Sequence, residues 1–234
     1  QRHPIGWVAN PQSDWEGLAA SIRGGLSLGM SGNPYHASAI GGFYGADQVD
    51  PELYVRWLQA SVFASHMRLY GIGERVPWAF GPEAEAVARK WLAFRYRLIP
   101  YLERGIVQAT RTGLPVMRAM PLAFPGNALV RGFETQFLCG EALLVAPILA
   151  PGGEVEIALP PGAWYDLNTR ARYAGRQVLP SLPANSANVI EWPLDLYEPS
   201  TASTCSGVHS HKSAARSIIW RWMSRPTLCA ANPV

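Results

Sequence analysis

The sequence predicts an α/β region over residues 1–113, antiparallel β structure over 114–199, and an irregular tail over 200–234. Three observations carry that prediction. Apolar spacing alternates between strand-like and helical periods as far as Gly113; short apolar runs between Pro-Gly turns follow it; and the last stretch holds no sustained period. Composition agrees, since 48% hydrophobic and 16% charged residues supply a core and leave too little charge for wholesale disorder. The 22 glycines and 20 prolines exceed ordinary usage and disfavour an all-helical fold.

The elements follow in order. Residues 1–8 form a short apolar stretch that predicts a buried strand, and Ser13-Asp14-Trp15-Glu16 reads as a capping box. Trp15, Leu18, Ala19 and Ile22 then fall on one helical face, with Gly24-Gly25 as the expected stop. Tyr35 to Ile40 predicts a second strand before Gly41-Gly42. Asp50-Pro51 supplies an N-cap with Pro at the first helical position, and Tyr54, Trp57, Leu58, Ser61 and Val62 mark the buried face of the helix it opens. His66 to Tyr70 predicts a third strand. A loop with Arg75, Pro77 and Trp78 leads into a helical segment from Glu83 to about Thr112, which Pro100 is expected to kink or break and Gly113 to stop.

That gives about three βα units with parallel strands, too few to close a barrel alone. Beyond Gly113 the apolar run Leu143 to Leu149 and the alternating Glu154 to Leu159 point to antiparallel strands. The tail is serine-rich, and its Lys212, Arg216, Arg221 and Arg225 are unopposed by any acid. The formal charge of +3 is therefore a property of the tail, and the body is slightly negative. No phosphate-tracking basic face is visible, so nucleic acid is not the expected partner. No apolar window reaches the roughly 18 residues of a membrane span, and Gln1-Arg2-His3-Pro4 lacks the layout of a signal peptide. Cys139, Cys205 and Cys229 are too few and odd in number for a disulfide framework; the compartment is left open, with the cytoplasm favoured. Oligomeric state is not legible.

In order along the chain stand Gln1-Arg2-His3-Pro4-Ile5-Gly6-Trp7, Ser13-Asp14-Trp15-Glu16-Gly17-Leu18, Arg23-Gly24-Gly25-Leu26-Ser27, Ser31-Gly32, Ile40-Gly41-Gly42-Phe43, Tyr54-Val55-Arg56-Trp57, Arg75-Val76-Pro77-Trp78, Pro115-Val116-Met117-Arg118 and Leu144-Val145-Ala146-Pro147. Over residues 1 to 195 this succession resembles glycoside hydrolase family 31, which holds α-glucosidases and α-xylosidases. The resemblance implies the last three βα units of a (β/α)8 catalytic barrel followed by a partial β-sandwich. It implies a retaining hydrolase acting on an oligosaccharide or other α-glycoside with terminal glucose or xylose, with no cofactor and no metal. It also places the nucleophilic carboxylate before residue 1, so the chain reads as a C-terminal fragment. An open barrel fragment exposes strand edges and apolar faces, so poor solubility or association is expected.

Residue by residue, the family's acid/base Asp falls on Asn10, in Trp7-Val8-Ala9-Asn10. An amide has no ionisable proton, and loss of general acid/base catalysis typically costs about 10²- to 10⁴-fold. Asp14 is the nearest alternative acid, for which a role in the helix cap is the simpler account. Ala39 stands where the family has an Asp before Ile-Gly-Gly, and Tyr70 replaces the His of an Arg-Leu-His-Gly segment. Trp7 and Phe43 match aromatic positions of the sugar pocket; core packing at a strand end is the competing account for each. The chain is thus expected to be catalytically silent, with a non-catalytic sugar-binding or interaction module as the alternative.

Other candidates carry less. Gly71-Ile72-Gly73 lacks the third glycine and the immediate helix of a dinucleotide fingerprint and reads as a turn. Cys205, His209 and His211 have no fourth ligand at metal-site spacing. Cys139, in an apolar stretch, is expected to be buried and inert. After Asp195 both resemblance and periodicity vanish, the pattern that a shifted reading frame or an unrelated fusion produces.

Overall fold

The computed structural model describes residues 5–7, 10–45 and 48–180, together with the backbone of 189–191. The tail from residue 200, with the Cys205, His209 and His211 candidate, lies outside the described residues, as do Val8, Ala9 and Asp47. The first strand, β1 (Ile5–Trp7), runs parallel to β2 (Tyr35–Ala37), with Gly6 opposite His36. Contrary to the buried strand expected, Ile5 is 49% exposed: it shares a strand face with Trp7, also exposed, while Gly6 faces the other way toward Leu28 of the following helix. The second strand stops at Ala37, and the third shrinks to one parallel bridge between Ala39 and Arg68.

Between them lies α1 (Trp15–Met30). Its cap is Asp14, whose carboxylate accepts from the Gly17 amide at 2.7 Å, so the expected Ser13 box is shifted by one residue. Glu16 pairs instead with Arg23. The helix also runs through Gly24-Gly25 rather than stopping there. A Cβ at Gly25 would lie 2.2 Å from His36 Nε2, and one at Gly29 would lie 3.1 Å from Pro115, so these glycines let the helix approach the chain beneath it. Leu18, Ala19 and Ile22 are buried as the spacing predicts.

The second helix, α2 (Pro51–Ser61), begins as the sequence predicts, with Asp50 Oδ1 accepting from the Glu52 amide at 2.6 Å. Tyr54, Trp57, Leu58 and Ser61 are buried along it. A 3₁₀ turn (Pro77–Phe80) precedes α3 (Pro82–Thr112), which continues unbroken past Pro100 and ends at Gly113 in the left-handed region, φ 76°. The residue whose carbonyl loses its partner to Pro100 is Tyr96, on the solvent side at 74% exposure, where water can replace the missing donor.

The β region opens with β3 (Met117–Ala119), a single helical turn α4 (Met120–Ala123), β4 (Phe137–Cys139) and β5 (Leu143–Val145). It continues with β6 (Ile157–Leu159), β7 (Ala163–Asp166), β8 (Arg172–Ala174), β9 (Gln177–Leu179) and β10 (Val189–Glu191). Six strands form an antiparallel sheet in the order β3-β4-β5-β10-β7-β8, and β6 pairs with β9. The alternation expected of residues 154–159 gives way to complete burial of Ile157, Ala158 and Leu159. The Gln136 side-chain amide exchanges two hydrogen bonds of 2.9 Å with the main chain of Ala158, which satisfies that backbone without water. Leu138, Leu144 and Trp164 of the larger sheet share a core with these three residues.

A second core joins α1, α2 and α3 to the first β strands through Leu18, Trp57, Leu98, Val116 and Phe137. Cys139 is fully buried there, and burial pushes its thiol up to about 12. His36, on β2, packs against α1 at Gly25, where burial and, secondarily, His66 lower its pKa to about 4. The unfolded chain takes up that proton near 6.5 while the folded chain does not, so stability rises with pH across this interval and is lost as pH falls from about 6.5 toward 4. Urea unfolding at pH 7.5 and pH 5 is expected to show the loss at pH 5, and His36→Gln to flatten the dependence; an unchanged slope in that variant refutes the assignment.

Candidate functional site

Because β1, β2 and the segment at Arg68 run in the same direction, the residues that follow them leave from one side of the parallel layer. That side is where parallel βα folds place their sites. Arg68 and Tyr70, two residues apart on extended chain, share a face. Ile40 N donates to Arg68 O at 3.1 Å and fixes the register of this segment.

The structure brings together all four residues singled out in the sequence. Trp7 and Tyr70 meet edge to face with centroids 6.4 Å apart, and Phe43 lies 5.4 Å from Tyr70. Trp7 Nε1 donates to Asn10 Oδ1 at 3.1 Å. Trp7 is 38% and Tyr70 41% exposed, so neither ring is a core side chain. Asn10 also borders an open hollow of about 300 Å³ lined by Pro11, Gln12, Asp14, Glu16 and Tyr44. Asp14 keeps its place in the helix cap.

Two arginines went unnoticed as site components. Arg68 lays its guanidinium 4.0 Å over the Tyr70 ring and 5.8 Å from that of Trp7. The signal available for it was its i, i+2 relation to Tyr70. Arg75 is buried and binds three loops at once: Nε donates to Gly42 O at 3.1 Å, one terminal nitrogen to Ser13 Oγ at 3.2 Å, and the other to Glu74 O at 3.0 Å. Tyr54 Oη donates to Arg75 O at 2.9 Å, and burial raises the pKa of that phenol. Main-chain bonds of 2.7 Å from Phe43 N to Pro11 O, Ser13 N to Tyr44 O and Ile72 N to Phe43 O lace the same loops together. Gly42, at φ 78°, is required here because a Cβ would fall 2.4 Å from Ser13 Cα. Gly71 serves a similar approach, 2.7 Å from Gly42 O, which accounts for Gly71-Ile72-Gly73 as a loop.

Among the described residues no group of three or more His, Cys, Asp or Glu is placed to hold a metal ion, and no helix is long and apolar enough to cross a membrane.

Residues 1–104 match the glycosyl hydrolases family 31 TIM-barrel domain, and residues 113–197 match the glycosyl hydrolase family 31 C-terminal domain. The chain belongs to glycoside hydrolase family 31. An alpha-xylosidase of Emericella nidulans is 39% identical over 161 residues, which cover 68% of this chain and 20% of that protein. Alpha-glucosidase 2 of Bacillus thermoamyloliquefaciens is 33% identical over 181 residues, 76% of this chain and 23% of that protein. The chain spans about a fifth of the length of these relatives. Among solved structures, a family 31 alpha-xylosidase from a soil metagenome, complexed with xylose, superposes with a TM-score of 0.73 and 31% identity. The match covers 80% of this chain and 32% of that one. A family 31 dextranase of Flavobacterium johnsoniae, complexed with glucose, gives 0.72 at 36% identity over 80% of this chain and 25% of its own. Within the family, the fold described above is part of the barrel joined to the β domain.

Replacing Arg75 by Met leaves the Gly42 carbonyl and the Ser13 hydroxyl without their donor. The expected cost is about 1–3 kcal/mol, read as a lower urea midpoint; a midpoint within error of the parent rejects the three-loop anchor.

Proposed function

We propose that this chain forms the sugar-facing end of an α-glycoside hydrolase whose complete form acts on terminal α-linked glucose or xylose with retention, and that the chain itself is catalytically silent. The observation that carries the reading is Asn10. Retaining cleavage needs one carboxylate to attack the anomeric carbon while a carboxylic acid about 5–5.5 Å from it protonates the leaving oxygen. At the position where the family resemblance puts that acid, this chain has an amide whose oxygen already accepts from Trp7 Nε1. An amide can orient a sugar hydroxyl by donating from Nδ2, but it cannot shuttle a proton between leaving group and water. The names of the relatives support the substrate class, and the same strand-end geometry supports the position.

The purified chain is expected to release no aglycone from aryl α-glucosides or aryl α-xylosides. Measurable turnover that disappears on Asp14→Asn would overturn the assignment, since it would show another carboxyl doing the work of the missing acid.

A second reading, sugar binding without cleavage, is favoured by the aromatic cluster. Trp7, 38% exposed, offers a ring suited to the C–H face of a pyranose, with Tyr70 standing edge to face beside it, and stacking needs no carboxylate. Titration with methyl α-glucoside or methyl α-xyloside is expected to give a saturable change in tryptophan fluorescence that Trp7→Ala abolishes. A flat response in the parent chain rejects binding.

A further inference from the structure

The sugar-binding reading leaves one group without a role. Arg68 is exposed and rests on Tyr70 at 4.0 Å and near Trp7 at 5.8 Å. Among the described residues its guanidinium has no carboxylate within ion-pair distance and no hydrogen-bond partner, although four other arginines of the chain form ion pairs. The side chains that share the strand ends with it, Trp7, Asn10, Ala39, Phe43 and Tyr70, are all uncharged. Of the acids in the flanking loops, Asp14 has an oxygen engaged by the Gly17 amide, and Glu74 makes no ion pair with Arg68. Among the described residues the cation is therefore held by aromatic rings alone, with its five donors unused.

An aromatic platform orients a guanidinium without neutralising it, because the ring meets the face of the planar group and leaves its edge free for bidentate bonding. Such a fork matches a carboxylate or a phosphate. We propose that Arg68 selects for an anionic substituent on the sugar, so that the ligand class of this face is an acidic glycoside, a uronic acid or sugar phosphate, in preference to a neutral hexose or pentose. The pyranose ring lies on Trp7, Asn10 Nδ2 takes a hydroxyl, and the acidic group meets the edge of the guanidinium that Tyr70 carries. This rests on the sugar-binding reading and refines it.

The position suits a clean test. Residue 68 is fixed through its main chain, by the bridge to Ala39 and the bond from Ile40 N, so exchanging the exposed side chain leaves the register in place. Tryptophan fluorescence titrations at low salt with methyl α-glucoside, glucuronate and glucose 6-phosphate separate the outcomes. At least one acidic sugar is expected to bind about tenfold tighter than the neutral one, the gain of a charge-assisted pair. Arg68→Gln should abolish that advantage, read within the variant as the ratio of acidic to neutral affinity; Arg68→Lys should restore part of it, and added salt should erase it. A gain with glucuronate alone identifies the carboxylate as the group, and a gain with the phosphate alone identifies the phosphate. Equal affinities for all three, or an advantage that survives Arg68→Gln, overturns the selectivity and leaves sugar binding standing. If methyl α-glucoside and both acidic sugars all fail to bind, both readings fall.

Discussion

The candidate site depends on one buried cation. Parallel strands in this chain are short, three residues in β1 and β2 and a single bridge at Arg68, so strand pairing alone cannot hold the loops that leave them. Arg75 does so by spending its donors on the second loop at Gly42, on the first at Ser13 and on its own loop at Glu74. Its burial lowers its pKa, but an arginine so far above neutrality stays charged, and charge-assisted bonds to carbonyl and hydroxyl oxygens are the strong kind. The close approach that this geometry demands explains why Gly42 and Gly71 lack side chains.

The same anchor sets the division of labour between the two arginines. One is enclosed, saturated with main-chain and hydroxyl acceptors, and fixes the loops. The other stands outside on aromatic rings, its donors without a partner among the described residues. Sequence spacing tells them apart only weakly, since both lie in one short stretch after the same helix. What separates them is direction: Arg68 shares a strand face with Tyr70, whereas Arg75 turns back beneath the loops toward Tyr54.

Legibility followed the range of the interaction. The cap at Asp50, the buried face of α2 and the left-handed stop at Gly113 are decided within a few residues, and all were readable. Gly24-Gly25 looked like a stop because local propensity argues for one; the deciding contact is His36, eleven residues further on and on another element. Pro100 does not end α3 for the converse reason, since its cost depends on whether water reaches the freed carbonyl. The strand at Ile157 hid its burial because Gln136, in a distant loop, replaces a neighbouring strand for Ala158. At the site, Trp7, Asn10, Phe43 and Tyr70 came from family resemblance; their meeting in space needed the parallel register, which no periodicity encodes.

The β region is tied to these loops and supports them from behind. Glu52, in the first turn of α2, accepts from the Gly152 amide at 3.0 Å and so links the helix behind the second loop to the turn before β6. Tyr101 of α3 donates to Cys139 O at 2.7 Å and accepts from the Glu141 and Ala142 amides, clamping the turn between β4 and β5. Helix α3 in turn follows directly from the Arg75 loop. Through these contacts the loops are held from behind by hydrogen bonds and core packing to which the side chains of Asn10 and Tyr70 do not contribute. A carboxylate at residue 10 would be free to exchange a proton, which the amide of Asn10 is not. The bonds that hold the loops are made by Arg75, Glu52 and Tyr101, so the support of this face does not depend on the side chain at residue 10.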